Sequence, residues 1–454
     1  MASRSLFLVT SVLFRNCNSW FRLHRVRGRG LYSRYCGAGE KVMAQTWGRR
    51  FLCRAHRGVS QAWALELHST EVGHCARVAR IRGSCGKAPP CPVTSAHFTD
   101  VRSLLWRPPS RLLHVTPRAC CYRKTSSEAK YTDPFTLGSR DLKNFYEDIK
   151  KELFITTKDL KEMCDYYFDG KGKAFRPMLV VLMARACNSH YNNCREVHPS
   201  QRTIAEISEM IHTASLVHDD VIDDANSRRG KQTVNQIWGE RKAVLAGDFI
   251  LSVAAVALAR IGNNTVIQLI SQIMEDLVRG EFLQLGSKEN ENERFSHYLE
   301  KTFKKTASLI ANSCKAVSVL ACPDPAVHEI AFQYGKNVGL AFQLIDDVLD
   351  FTACANQLGK PAAADLKLGL ATGPVLFACQ QFPELNDMIM RRFSLPGDVE
   401  RAWQCVIQSD GVRQTTYLAQ NYCNQAVQEI SKLQPSPERD ALIQLTEIVL
   451  TRDK

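Results

Sequence analysis

The sequence predicts an all-α fold, a single large helical bundle with a central cavity. Three observations carry that reading. From about Tyr131 apolar residues recur at helical spacing in one segment after another, and alternating strand patterns are essentially absent. Glycine or proline falls between the segments, at Pro199, Gly262, Gly286, Pro323, Pro325, Gly359, Pro361, Pro396 and Pro435. Two of the segments end in clusters of aspartate set among hydrocarbon side chains, which a solvated surface helix does not do. The helices expected are 139–153, 158–168, 175–188, 200–225, 240–262, 264–284, 293–320, 324–353, 371–389, 397–409, 412–433 and 437–450. They read as one domain over 126–454 without an internal break, preceded by a largely unstructured leader over 1–125.

The leader accounts for the charge of the chain. The whole carries +13, yet residues 1–120 hold 18 Arg and 2 Lys against 4 acidic residues, and the rest holds 39 basic against 42 acidic. A slightly acidic body argues against nucleic-acid binding. A stretch rich in Arg and Ser and poor in acid fits a mitochondrial targeting sequence. The apolar run Ser5–Phe14 competes as a secretory signal, but Arg15, Arg22, Arg25 and Arg27 follow it at once. It is also too short to span a bilayer, and no other long apolar span is read in the chain. Seventeen cysteines, an odd number without a Cys-x-x-Cys spacing, read as reduced thiols and not as a disulfide framework or zinc site.

Within the domain the first chemical feature is Asp169–Pro177, DGKGKAFRP. Lys173 and Arg176 are three apart at a helix start, so both can reach one diphosphate, and Pro177 is tolerated in a first turn. Alone, such a pair is ordinary solvated surface. The segment Glu206–Gly230, EISEMIHTASLVHDDVIDDANSRRG, is more informative. Ile204, Ile207, Ile211, Ala214 and Val217 make an apolar face, and Asp219 and Asp223 lie one turn apart with Ser215, His212 and Ser208 on the same stripe. Two aspartates at that spacing repel unless a cation sits between them. Hard oxygen ligands on a rigid helix suit Mg²⁺, which takes one or two carboxylates and shares substrate phosphates. Residues 335–351, GKNVGLAFQLIDDVLDF, repeat the arrangement at Asp346, Asp347 and Asp350, with Gln343 one turn before. Two such helices imply one shared metal-bearing cavity.

Two DDxxD motifs, the first followed by Arg228-Arg229-Gly230 and the second preceded by Phe342-Gln343, resemble those of the trans-isoprenyl diphosphate synthases, over about residues 130–454. The resemblance implies an isoprenoid-synthase bundle and Mg²⁺ held by Asp219, Asp220, Asp223, Asp346, Asp347 and Asp350. Gly172-Lys173-Ala174-Phe175-Arg176-Pro177 matches the family's Gly-Lys-x-x-Arg-Pro, so Lys173 and Arg176, with His212 and Arg229, are expected at isopentenyl diphosphate. Arg228, Lys305, Thr306, Gln343 and Lys360 are expected at the allylic diphosphate, farnesyl or geranylgeranyl. The reaction implied is ionisation of the allylic diphosphate, attack by the isopentenyl double bond, and proton loss. Small residues at Ala214 and Ser215, below the first aspartates, are expected to leave open a tunnel for a long polyprenyl chain, of the kind used for the ubiquinone side chain.

The sequence departs from the family at one place. A segment like DLxxGKxTLP is met by Asp365-Leu366-Lys367-Leu368-Gly369-Leu370-Ala371-Thr372-Gly373-Pro374, with Leu370 where the family has lysine. Loss of that cation is expected to make the chain lean on a second, related synthase subunit in a hetero-oligomer, unless Lys367 compensates. The expected location is the mitochondrial matrix, with peripheral inner-membrane contact for product release and no transmembrane span. Two rivals stand beside this reading. A class I terpene cyclase shares DDxxD but carries an Asn/Asp–Ser/Thr–Glu motif where this chain repeats DDxxD. A partner-dependent subunit with little activity alone is the other; a wholly non-catalytic scaffold subunit would be expected to lose motif aspartates or arginines, and all six aspartates are present.

Overall fold

Apolar spacing becomes helix throughout the residues that the computed structural model describes, which are 133–452 apart from 156, 171–173, 229, 286–290 and 353–362. The expected leader and the expected site residues Lys173, Arg229 and Lys360 lie outside them. Phe175–Asn192 (α1) is buried without interruption from Pro177 to Ala184, the pattern of a helix enclosed on all sides. Pro199 opens Pro199–Ile222 (α2) at a position that needs no amide donor, and the Gln201 side chain accepts from the His198 amide at 2.9 Å. Glu240–Ile261 (α3) ends at Gly262, whose φ of 69° is the left-handed conformation that stops a helix. Asn264–Leu285 (α4) follows. Glu291–Thr302 (α5) and Ser308–Ala321 (α6) are joined by a π-helical turn, Phe303–Ala307. Pro325–Thr352 (α7), Gly411–Ile430 (α8) and Pro437–Thr451 (α9) complete the long helices.

The packing places α7 at the centre, against α6 and α8, with α2 held between α1 and α3 and α9 laid over α1 and α7. One main core joins side chains of α1, α2, α6, α7, α8 and α9. A second, smaller core gathers residues between Phe351 and Val406, among them Leu366, Leu385 and Ala402. The approach of α7 to its neighbour is unusually close. A Cβ added at Gly335 would lie 2.8 Å from Ala311 Cα, and one at Gly339 would lie 2.6 Å from Ala307 Cα. Glycine is needed at both positions because the backbones themselves are in contact.

Several elements differ from expectation. The helix expected over 139–153 begins only at Phe145, because Asn144 adopts a left-handed φ of 58°, and a short helix Pro134–Gly138 precedes it. The helix expected over 371–389 is two, Gly373–Ala378 and Glu384–Met390, separated where Pro383 disfavours helix at the residue before it. After α2 the chain makes a two-residue antiparallel ribbon, Ser227–Arg228 with Lys231–Gln232, around Gly230 at φ 76°. The reading that the chain has no long apolar span is corrected by α3, which is long and apolar enough to cross a bilayer, with a mean hydropathy of 2.0 over an 18-residue stretch. Its buried face, including Ala243, Ala246, Ile250 and Ala254, packs on α2 as a core helix does, while Leu245 and Val256 face outward. The described cysteines form no disulfide.

Candidate active site

Three walls enclose a cavity of about 1150 Å³. The C-terminal half of α2 presents His212, Ser215 and Asp219, with Asp223 one turn further at its cap. Opposite, α7 presents Phe342, Gln343, Asp346 and Asp347. The third wall is α5 and the π turn, with Tyr298, Lys301, Lys305 and Thr306. Arg176 enters from the start of α1, and Leu216, Leu277, Leu309 and Ile448 supply apolar lining.

The two acidic motifs are not used uniformly. Asp219 and Asp223 line the cavity, whereas Asp220 is 1% exposed and turned to Arg228, whose Nε donates to it at 2.7 Å, and to the Tyr167 hydroxyl at 3.1 Å. Asp346 and Asp347 line the cavity, whereas Asp350 accepts from the backbone amides of Ala364 and Asp365 at 3.0 and 3.2 Å. In each motif one aspartate positions a neighbouring segment while the others face the cavity. Arg228 is itself at the cavity wall, so Asp220 acts on the cavity through it.

A hydrogen-bonded chain links the second and third walls. Thr306 Oγ1 donates to Gln343 Oε1 at 2.9 Å, and Gln343 Nε2 donates to Asp347 Oδ1 at 2.9 Å. The Tyr298 hydroxyl donates to Asp347 Oδ2. Lys305 Nζ meets Glu281 at 2.5 Å and Gln284 at 3.1 Å. Burial alone would depress the Lys305 ammonium, but Asp219 and Glu281 outweigh it and raise its pKa above the ordinary lysine value. At the other end Arg176 Nη1 and His212 Nε2 are 3.0 Å apart, beneath Phe175 and Phe342 stacked at 5.4 Å. These are the expected isopentenyl-side residues, brought together by α1 crossing α2.

Burial dominates the electrostatics of the carboxylates. It pushes Asp219 up to about 6, with Lys305 opposing, and Asp347 up to about 6 against the hydrogen bonds from Tyr298 and Gln343. Asp365 rises to about 7 through burial and the nearby Asp347 and Asp350. Among the described residues no three His, Cys, Asp or Glu side chains are gathered tightly enough to enclose a metal by themselves. One or two raised carboxylates on each wall of a half-polar cavity fit Mg²⁺, which keeps waters and borrows phosphate oxygens for the rest of its shell.

A protonation prediction follows from these shifts. A pKa raised on folding means that the apo protein holds protons the unfolded chain would release. The stability from Asp219 and Asp347 is therefore present below pH 3.8 and is lost as pH rises through about 6. Binding Mg²⁺ with inorganic diphosphate should expel those protons. Calorimetry at pH 6 in buffers of different ionisation enthalpy is expected to show more proton release in the wild-type chain than in Asp219→Asn or Asp347→Asn, the difference being the carboxylates' share beside that of the diphosphate itself. Equal proton release in wild type and variants at pH 6 would contradict the raised carboxylates.

Some residues of the cavity had no motif to announce them. Arg452, at the end of α9, pairs with Asp346 at 2.8 Å and lies 3.7 Å over the Phe342 ring. Tyr298, Lys301 and Asp365 also line the cavity; only Asp365 lay in a stretch that the sequence singled out. Lys367 is exposed and away from the cavity, while Leu370 lines it. Of the two residues expected to control chain length, Ser215 lines the cavity, but Ala214 is wholly buried in the main core. Ser208 is likewise in the interior, bonded to the Ala205 carbonyl at 2.9 Å.

Known proteins resemble the chain over most of its length. The family model described as polyprenyl synthetase matches residues 157–406. A human all trans-polyprenyl-diphosphate synthase is 78% identical over 345 residues, covering 76% of this chain and 82% of its own. Decaprenyl-diphosphate synthase subunit 1 of Schizosaccharomyces pombe is 43% identical over 343 residues, covering 70% and 91%. A probable mitochondrial hexaprenyl pyrophosphate synthase of Yarrowia lipolytica is 38% identical over 395 residues, covering 73% and 87%. The crystal structure of heptaprenyl diphosphate synthase from Staphylococcus aureus superposes with a TM-score of 0.64 at 30% identity, covering 70% of this chain and 98% of that one.

Proposed function

Because the chain belongs to the polyprenyl synthetase family, we propose that the cavity between α2 and α7 condenses isopentenyl diphosphate onto an allylic diphosphate and feeds the ubiquinone side chain. The chain is a long-chain trans-polyprenyl diphosphate synthase, a prenyltransferase. The single observation that carries the site assignment is the meeting of Asp219 and Asp223 with Asp346 and Asp347 around one cavity that also holds Lys305.

The allylic diphosphate, farnesyl or geranylgeranyl, lies on Lys305, Thr306 and Arg228, with Lys360 a further contact. Lys305 and Arg228 meet charge that grows as the carbon–oxygen bond breaks, so they bind the transition state more strongly than the ground state. Asp219, Asp223, Asp346 and Asp347 would hold Mg²⁺, which when bound neutralises the departing diphosphate. Arg176, His212, Lys173 and Arg229 orient isopentenyl diphosphate so that its double bond faces the allylic carbon. Leu216, Leu277 and Leu309 keep water from the cation. The proton lost from the new bond goes to the released diphosphate. Gln343, fixed between Thr306 and Asp347, keeps the two walls in register.

Product length is set below Asp219, where Ser215 meets the cavity. Ser215→Phe is expected to shorten the product by several isoprene units, read by resolving products by chain length. An unchanged length distribution would remove Ser215 from this role.

The subunit name of the fission-yeast relative and the outward apolar residues Leu245 and Val256 on α3 and Val278 and Phe282 on α4 support a hetero-oligomer with a related synthase. The mitochondrial names of relatives and the arginine-rich leader support a mitochondrial location, in the matrix against the inner membrane. The test supplies the full chain with farnesyl diphosphate, isopentenyl diphosphate and Mg²⁺, with and without the partner subunit. Long products are expected, more with the partner; no elongation under either condition refutes the assignment.

A further inference from the structure

Lys301 lies one turn before Lys305 on the same wall of the cavity. Among the described residues its ammonium makes no hydrogen bond and no ion pair; the Tyr298 ring lies 5.7 Å away. Burial depresses its pKa, while Asp347, Asp365 and Glu281 pull upward and Lys305 pushes down. Asp347 is already occupied by Tyr298 and Gln343. A lysine ammonium taken from water without a partner is costly and either neutralises or finds an anion. The cavity holds a second orphan. Thr372 is 4% exposed, lines the same cavity, and its Oγ1 is buried with no hydrogen-bond partner. Leu370 lines the same cavity and offers nothing to an anion, while Lys367 is exposed and does not line it.

We propose that Lys301 and Thr372 form a diphosphate subsite, supplying from α5 the cation that Leu370 does not supply from its own segment. The inference rests on the diphosphate chemistry proposed for this cavity and names a residue pair for it. An ammonium and a hydroxyl lining one cavity suit a non-bridging phosphate oxygen, the ammonium as charge and the hydroxyl as a directed donor. The same geometry explains why a long-chain synthase can carry leucine at 370 without losing its hold on the leaving group.

The experiment uses the full chain and inorganic diphosphate as the probe, followed by farnesyl diphosphate turnover. Lys301→Met is expected to weaken inorganic diphosphate binding and raise KM for the allylic substrate by about 10- to 100-fold, the worth of one charge-assisted hydrogen bond. The same substitution is expected to raise the apo melting temperature, since it removes a half-buried cation that makes no ion pair. The double variant Lys301→Met, Leu370→Lys should regain most of the lost affinity, because the cation returns from the other side. Thr372→Val should weaken binding more modestly. Unaltered diphosphate affinity in Lys301→Met, a lowered apo melting temperature, or failure of lysine at 370 to restore affinity would each overturn the subsite. A wild-type chain that elongates nothing would instead sink the functional assignment, leaving the binding measurement to judge the subsite separately.

Discussion

Replacing Asp219 with asparagine is expected to lower kcat/KM for the allylic diphosphate by about three orders of magnitude, comparable to removing a preorganised charge-stabilising group from other active sites. Asparagine keeps the volume and can still accept one hydrogen bond, so the loss isolates the charge. Asp219 lines the cavity together with Asp223, Lys305 acts on it electrostatically, and burial has already raised its pKa to about 6. The apo protein is therefore expected to be no less stable, since a penalised buried carboxylate has gone. Single-turnover elongation and thermal melting, measured together, test both halves. A loss below about tenfold would take Asp219 out of the metal-binding role. The neighbouring Asp220→Asn provides the contrast, because its carboxylate holds Arg228 and Tyr167 and does not line the cavity.

Gly339→Ala is the second large effect, and it acts first on packing. The new Cβ would lie 2.6 Å from Ala307 Cα and 2.8 Å from Ala307 Cβ, with backbone atoms that cannot rotate away. The helix α7 must separate from the π turn, which costs about 1–3 kcal/mol as an overpacked core contact. The functional consequence is local. Gln343 sits one turn beyond Gly339, and Thr306 precedes Ala307, so separation lengthens the 2.9 Å bond between them. Denaturant unfolding is expected to show the lost stability, and kcat is expected to fall with it. Wild-type stability in this variant would mean that the close approach is not constraining.

Much of the site could be read before any coordinates. The apolar repeats on either side of Asp219 and of Asp346 specify two buried helices, and the acidic residues at i and i+4 share a face by helical geometry alone. Helix boundaries were legible to within a few residues except where a single backbone conformation intervened, as at Asn144 and before Pro383. The π turn at Phe303–Ala307 left no mark in the pattern, because its apolar residues still fall on one side. Chain length was assigned to Ala214 and Ser215 together, though adjacent helical residues point about 100° apart. One of the two could reach the cavity and the other had to face the core.

Local periodicity, then, was enough for the helices and for the two acidic faces, because each depends on residues within a turn or two of one another, whereas the chemistry expected of them came from the resemblance of the motifs. The division of labour among the aspartates was not local. Asp220 meets a ribbon that folds back after α2, Asp350 meets the amides of Ala364 and Asp365, and Asp346 meets Arg452 from the far end of the chain. Lys301 likewise becomes an unpaired cation only when α5, α7 and the segment around Thr372 converge. Such partners are chosen by how distant helices pack, and the glycine contacts at 335 and 339 that let α7 approach so closely set those distances in three dimensions.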